Sequence, residues 1–175
     1  RWEGLPAWAR QTLEAHGPDP RAELYTLEQL ERGETGDAYW NAAQWQMVAT
    51  GHMHNYMRMY WCKRLLVWTR NARTAMEWAI YLNNKYELDG RDENGYMGVA
   101  WCFGQHDRQF PERSIFGTVR PMTSSGLKTK FDMSAYVRYV RECCQAAAPN
   151  VKRLLPRAAL NATPTLQHYF APKTK

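Results

Sequence analysis

Residues 51–68, Gly51-His-Met-His-Asn55-Tyr-Met-Arg58-Met59-Tyr-Trp61-Cys62-Lys-Arg-Leu-Leu-Val-Trp68, decide the fold. The stretch has no alternation of period two, and its large residues recur at helical spacing. At about 100° per residue, Arg58, Trp61 and Trp68 fall within a sector roughly 80° wide, with about 10.5 Å of rise between the two indoles. Such a stripe serves either as core packing or as an anchor leading into an electron relay. The spacing suits both, so the surroundings have to choose.

Working outward, the same period returns. Trp8 to Leu13, Leu27 to Arg32 followed by Gly33, and Asp37 to Thr50 followed by Gly51 predict helices. Glycines close the last two, and Asp37 is placed to cap the third. Residues 54–70 and 73–86 continue the series, and the polar run Asp89-Gly-Arg-Asp-Glu-Asn-Gly95 predicts a tight loop. A short buried helix is expected at 97–104, irregular chain at 107–130 and a final helix at 133–147. With no repeat and no low-complexity segment before residue 146, the expected body is all-α.

Composition narrows the function. The chain has 175 residues, 45% of them hydrophobic, enough for one domain with a core. It begins at Arg1, which points to a segment of a longer protein. Net charge is +6, but the last 28 residues hold five bases (Lys152, Arg153, Arg157, Lys173, Lys175) and no acid, so the body carries only +1. Global basicity is therefore weak evidence for a nucleic-acid partner. Cys62, Cys102, Cys143 and Cys144 show no metal-binding spacing, and His52 and His54 point to different helix faces. No metal site and reduced intracellular thiols are expected. No run of apolar residues is long enough to span a membrane, and no signal peptide is evident.

From Ala146 onward the composition turns to alanine, proline and bases, which predicts a flexible tail over 146–175, with room for a short helix at 151–155. Within it, Leu166 precedes the aromatic pair Tyr169 and Phe170 by three residues. This pattern resembles the peptide that docks on sliding clamps, though it lacks the usual first glutamine. The alternative is an unremarkable disordered tail.

The ordered motifs Tyr25-Thr-Leu-Glu-Gln-Leu30, Trp40-Asn-Ala-Ala-Gln44, Met57-Arg-Met-Tyr-Trp61, Leu82-Asn83, Tyr86-Glu-Leu-Asp-Gly-Arg-Asp92, Asn94-Gly-Tyr96 and Lys130-Phe-Asp132 resemble those of class II cyclobutane pyrimidine dimer photolyases. The resemblance runs from about residue 5 to 141. It implies the C-terminal part of a helical FAD-binding domain (1–145), with the antenna domain and the first part of the flavin site lying upstream. The implied activity is light-driven repair, in which reduced FAD passes an electron to a pyrimidine dimer flipped out of damaged DNA. The antenna chromophore is not specified.

The same resemblance assigns roles. Arg58, Asp89 and Asn83 would hold the flavin, with Asn83 near its redox-active nitrogen. Trp61, Trp40 and Trp68 match the photoreduction relay, with Trp61 nearest the flavin, Trp40 intermediate and Trp68 at the surface. Met59 and Trp101 match the lesion pocket. Asn55 departs from the class II pattern, which has glycine there, but resembles other photolyase classes and is included as a flavin contact. His52, Cys62 and Cys102 are further departures. Arg108, Arg113 and Arg120 are candidates for phosphate contact. Without the resemblance, Arg58 and Asp89 would read as a structural ion pair, the tryptophans as core and the arginines as solvated. Two other readings stay open: a cryptochrome-like flavin photoreceptor, and an inactive helical DNA-binding scaffold. A monomer is expected, intracellular and DNA-associated, nuclear if the source is eukaryotic.

Overall fold

The computed structural model describes residues 1–161. Among these, a 3-10 turn at Trp2–Gly4 precedes α1 (Ala7–Ala15), α2 (Leu27–Arg32), α3 (Ala38–Thr50), α4 (Asn55–Trp68) and α5 (Ala72–Tyr86). Then follow α6 (Glu93–Cys102), α7 (Ser124–Lys128), α8 (Met133–Ala146), α9 (Pro149–Lys152) and α10 (Arg157–Leu160). No strand occurs among the described residues, where Arg113 and Gly117 form an isolated bridge. The all-α expectation holds.

Two nearly all-buried helices form the centre. Every residue of α3 from Trp40 to Val48 is buried, and α4 buries eight of its residues, including Tyr60, Trp61, Leu65, Leu66 and Trp68. Helices buried on most sides need neighbours on most sides. The α8 helix covers one flank of α3, α5 and α6 cover α4, and α2 closes over the start of α3. The ends are fixed by local chemistry. Thr26 and Gln29 form a capping box on α2, and Asp37 caps α3 by accepting from the Tyr39 and Trp40 amides. Gly33 closes α2 at φ 64°, where a Cβ would come within 2.5 Å of the Trp45 indole nitrogen.

Three boundaries differ from the sequence reading. The α6 helix starts at Glu93, inside the run expected to be a loop, and ends at Cys102. Gly95 allows this, because a Cβ there would lie 2.8 Å from the Asp89 carbonyl oxygen and the helix packs directly on the preceding turn. Five residues of the expected irregular stretch form α7, capped by Thr123. The chain after Ala146 does not leave the body at once. Leu155 and Ala159 are buried in a second apolar cluster with Ala42, Trp45, Val48, Val137, Val140 and Cys144, which sets α9 and α10 against α3 and α8.

Leu155→Ala should therefore destabilise the protein by about 2 kcal/mol or more in denaturant unfolding, the usual cost of emptying a buried leucine site. An unchanged midpoint would place this segment outside the cooperative fold.

Candidate functional site

The α4 helix supplies one guanidinium to two carboxylates. Arg58 Nη1 and Nη2 donate to Asp89 Oδ2 and Oδ1 at 3.2 and 3.1 Å, a bidentate pair, and Nη2 also lies 2.9 Å from Glu87 Oε2. The two acids differ in exposure: the Asp89 side chain is 46% exposed and that of Glu87 1%. Burial pushes the Glu87 carboxyl up to about 7, against the pull of Arg58, and the Asp89 charge adds to the rise. Sequence reasoning did not single out Glu87, although it sits inside a quoted motif. Next to it, the Leu88 amide donates to the Gly51 carbonyl at 2.9 Å, which ties this turn to the α3–α4 corner.

The sign of the resulting pH effect follows from which state holds more protons. With a carboxyl raised from about 4.5 unfolded to about 7 folded, the native state binds the extra proton between those values, so stability falls as pH rises through that window. The fall should be of order 3 kcal/mol in the flavin-free protein. Glu87→Gln should flatten it in urea titrations at pH 4.5 and 7.5, and an identical slope in the variant would contradict this.

Asn83, on α5, closes the same corner. Its Nδ2 donates to the Gly90 carbonyl at 3.0 Å, while its Oδ1 is buried with no hydrogen-bond partner, as is Arg58 Nε. Gly90 is essential to this closeness, since a Cβ there would meet the Asn83 carbonyl oxygen at 2.2 Å. An unsatisfied buried amide oxygen suits a ligand that offers a hydrogen-bond donor, as a flavin ring does. Asn55, at the first position of α4, is exposed and stands one turn before Arg58.

Three tryptophans meet on the buried side of α4. Trp61 and Trp40 stack with ring centres 6.1 Å apart and an interplanar angle of 7°, and Trp40 meets Trp68 edge-on at 5.3 Å. Trp40 thus fills the gap along α4 between the two indoles that share its face. Two hydrogen bonds lock the stack: Trp40 Nε1 donates to the Trp61 carbonyl at 2.8 Å, and Trp61 Nε1 donates to Gln44 Oε1 at 2.9 Å. Gln44 in turn donates to the Glu31 carbonyl at 2.9 Å, a fully buried amide role that the sequence motif contained without revealing. One expectation is corrected here. Trp68 is not a surface residue: it is 2% exposed, with the Arg64 guanidinium 4.3 Å above its ring and Tyr25 edge-on at 5.4 Å.

A third group faces outward. Trp101 is 47% exposed and carries His106 edge-on at 5.9 Å. Cys102 Sγ contacts the Met59 carbonyl at 3.7 Å and joins α6 to α4 along the edge that carries half-buried Met59. On the segment that follows α6, the Arg108 and Arg120 guanidinium groups lie 5.4 and 5.5 Å from the Phe110 ring centre. Arg113 is exposed on the same loop, whose path is fixed by left-handed residues at His106 and Ile115. Beneath this edge, Lys63 is 1% exposed and donates to the Cys102 carbonyl at 2.9 Å, and burial pushes its amine pKa down.

Among the described residues no three His, Cys, Asp or Glu side chains converge as a metal site, and no helix is long and apolar enough to cross a membrane. Leu166, Tyr169 and Phe170 lie outside the described residues.

No family model matches the chain. It is similar to proteins named deoxyribodipyrimidine photo-lyase. The one from Methanothermobacter thermautotrophicus is 56% identical over 137 residues, 78% of this chain and 31% of that protein. The one from Arabidopsis thaliana is 49% identical over 140 residues, 79% of this chain and 28% of that protein. The one from Potorous tridactylus is 50% identical over 139 residues, 79% of this chain and 26% of that protein. The chain thus spans about a third or less of the length of the curated relatives it matches.

Proposed function

We propose that the chain is a segment of a class II deoxyribodipyrimidine photo-lyase, the C-terminal part of its FAD-binding domain, and that the whole protein repairs cyclobutane pyrimidine dimers in DNA by light-driven electron transfer. The observation that carries this reading is 49–56% identity to proteins of that name over nearly four-fifths of the chain. Bound FAD, in its reduced form, would supply the excited electron.

The chain's own residues do the rest of the work. Arg58, fixed by Asp89 and Glu87, presents a held positive charge that favours an anionic ring, and Asn83 Oδ1 offers the acceptor that the buried corner leaves unused. Asn55 would add a contact from the start of α4. Trp61, Trp40 and Trp68 form a continuous aromatic path, one stacked step and one edge-on step, along which an electron can refill the cofactor when it becomes oxidised. Trp101 and Met59 offer polarizable surfaces against which a flipped-out pyrimidine dimer can rest. Arg108, Arg113 and Arg120 are exposed on the segment that follows α6 and suit sequence-independent, salt-sensitive phosphate contact. The exposed Trp101 favours repair over a purely signalling photoreceptor. In this proposal the protein works as a monomer on DNA, and Leu166, Tyr169 and Phe170 form a docking peptide for a sliding clamp.

Expression of the whole protein in ultraviolet-irradiated cells that lack photorepair tests the reading. Survival should rise under blue light and not in darkness. Equal survival in both conditions would refute it.

A further inference from the structure

We propose that His16 is a positioning residue for DNA binding: as an imidazolium it joins Glu112 to Asp19 and holds the segment 107–120 in the path that presents its arginines, and it releases Glu112 when it loses its proton. This inference rests on the reading of Arg108, Arg113 and Arg120 as phosphate contacts.

The segment keeps a backbone course that its sequence alone disfavours. Ile115 sits at φ 70°, a left-handed conformation that strains a β-branched residue, and Gly117 follows at φ 53°. Hydrogen bonds close the base of the loop. The Phe110 amide donates to the Thr118 carbonyl at 2.8 Å, and Arg113 and Gly117 exchange amide-to-carbonyl bonds of 2.9 and 2.7 Å. The arginines belong to this base, since Arg108 and Arg120 both lie over the Phe110 ring and Arg113 is one side of the bridge to Gly117.

The strained turn is held from α1 and the chain just after it. The Thr118 amide donates to the Thr12 hydroxyl oxygen at 3.0 Å, and Gly117 packs so closely that a Cβ there would collide with that oxygen. Asp19 Oδ2 accepts from the Ile115 amide at 2.7 Å and from the Ser114 hydroxyl at 3.2 Å. The Ile115 amide and the His16 ring keep the Asp19 carboxyl below its ordinary range.

His16 stands between this anchor and the loop. It follows the last turn of α1, where a positive charge is favoured. Its Nδ1 lies 2.7 Å from Asp19 Oδ2 and its Nε2 2.8 Å from Glu112 Oε1. Carboxylates only accept, so both contacts are hydrogen bonds only when both ring nitrogens carry protons. A neutral ring can serve one of them. Asp19 has two further donors and keeps its place, whereas Glu112, whose side chain is 69% exposed, turns to water.

The bonds to Asp19 and then Glu112 raise the His16 pKa above the ordinary histidine value of 6.5. The clasp is therefore complete below that value and is lost as pH rises through the higher folded one. The charged groups facing the ring are Asp19 from its own turn and Glu112 from the loop, while Arg21 turns its guanidinium to the Gly17 and Asp19 carbonyls, each at 2.6 Å. Releasing Glu112 weakens the grip on DNA in two ways. Glu112 adjoins Arg113, so a freed carboxylate and a lost imidazolium charge both oppose phosphate contact, and the loosened segment must be ordered again when DNA binds.

Equilibrium binding of a labelled duplex carrying one thymine dimer to the flavin-loaded whole protein tests this at fixed salt between pH 6 and 9, with thermal melts confirming that each variant folds. Wild-type affinity should fall by about five- to tenfold across this range, the scale of one lost hydrogen bond. His16→Gln, which cannot become a cation, should bind at the wild type's high-pH affinity throughout. Glu112→Gln should stay near the low-pH affinity throughout, because its amide can donate to the unprotonated Nε2 of a neutral ring. Arg108→Ala and Arg120→Ala should each weaken binding at every pH. Wild-type binding that does not change with pH, or a pH dependence that survives in His16→Gln or Glu112→Gln, would overturn the clasp and leave the arginines standing. Arginine variants that bind as wild type would overturn both.

Discussion

Trp40→Phe should cut photoreduction of the flavin-loaded protein by roughly a hundredfold, because phenyl is a far poorer electron donor than indole and the ring fills the only gap between Trp61 and Trp68. The 6.1 Å stack on one side and the 5.3 Å edge contact on the other make Trp40 the shared neighbour of both α4 indoles. The substitution also removes the bond from Trp40 Nε1 to the Trp61 carbonyl, so some stability will go with it. A control separates the two effects. Protein whose flavin has been reduced chemically bypasses the relay, and its repair rate should stay within about twofold of wild type. Loss of both activities together would mean that Trp40 acts as core and that the relay reading is wrong.

Arg58→Leu carries the second large effect. It leaves Glu87, whose side chain is 1% exposed, with no cation beside it, and breaking a buried pair from one side costs about 3–5 kcal/mol. Some of that cost is relieved because Glu87 can take a proton, which its elevated pKa already makes easy. The melting temperature should drop by roughly 10 °C. Flavin retention should fall further than stability alone explains, since Asp89 loses the partner that positions it. The double variant Arg58→Leu with Glu87→Leu should recover at least half of the stability and none of the flavin. Recovery of both would show that the guanidinium serves only to neutralise Glu87, and calorimetry with flavin titration would distinguish these outcomes.

Much of this arrangement could be read from local signals. Asp37, Gly33 and Gly51 mark helix ends because capping and left-handed closure depend on residues a few positions apart. The tryptophan spacing on α4 follows from helical period. An ion pair between Arg58 and Asp89 is one of the two readings their sequence positions allow, and the structure shows that pair. What stayed hidden depends on contacts distant in sequence. Glu87 and Lys63 look like surface charges until α4, α5 and α6 close over them. Gln44 becomes the clamp on Trp61 only when α3 meets α4. Trp68 looked like a helix-end surface residue because nothing local reveals that Arg64 and the Tyr25 segment cover it. The start of α6 was masked by a polar, glycine-rich run whose glycine serves close packing rather than a turn. The segment 149–160 resembled a tail in composition, yet Leu155 and Ala159 find a groove between α3 and α8.

The central claim is photorepair, and the most direct measurement is the loss of thymine dimers from a defined oligonucleotide incubated with purified, reduced, flavin-loaded whole protein. The account predicts dimer loss under blue light, none in a dark control, and strong weakening by Trp101→Ala at the exposed edge. Bound flavin with no dimer loss in either condition would contradict it.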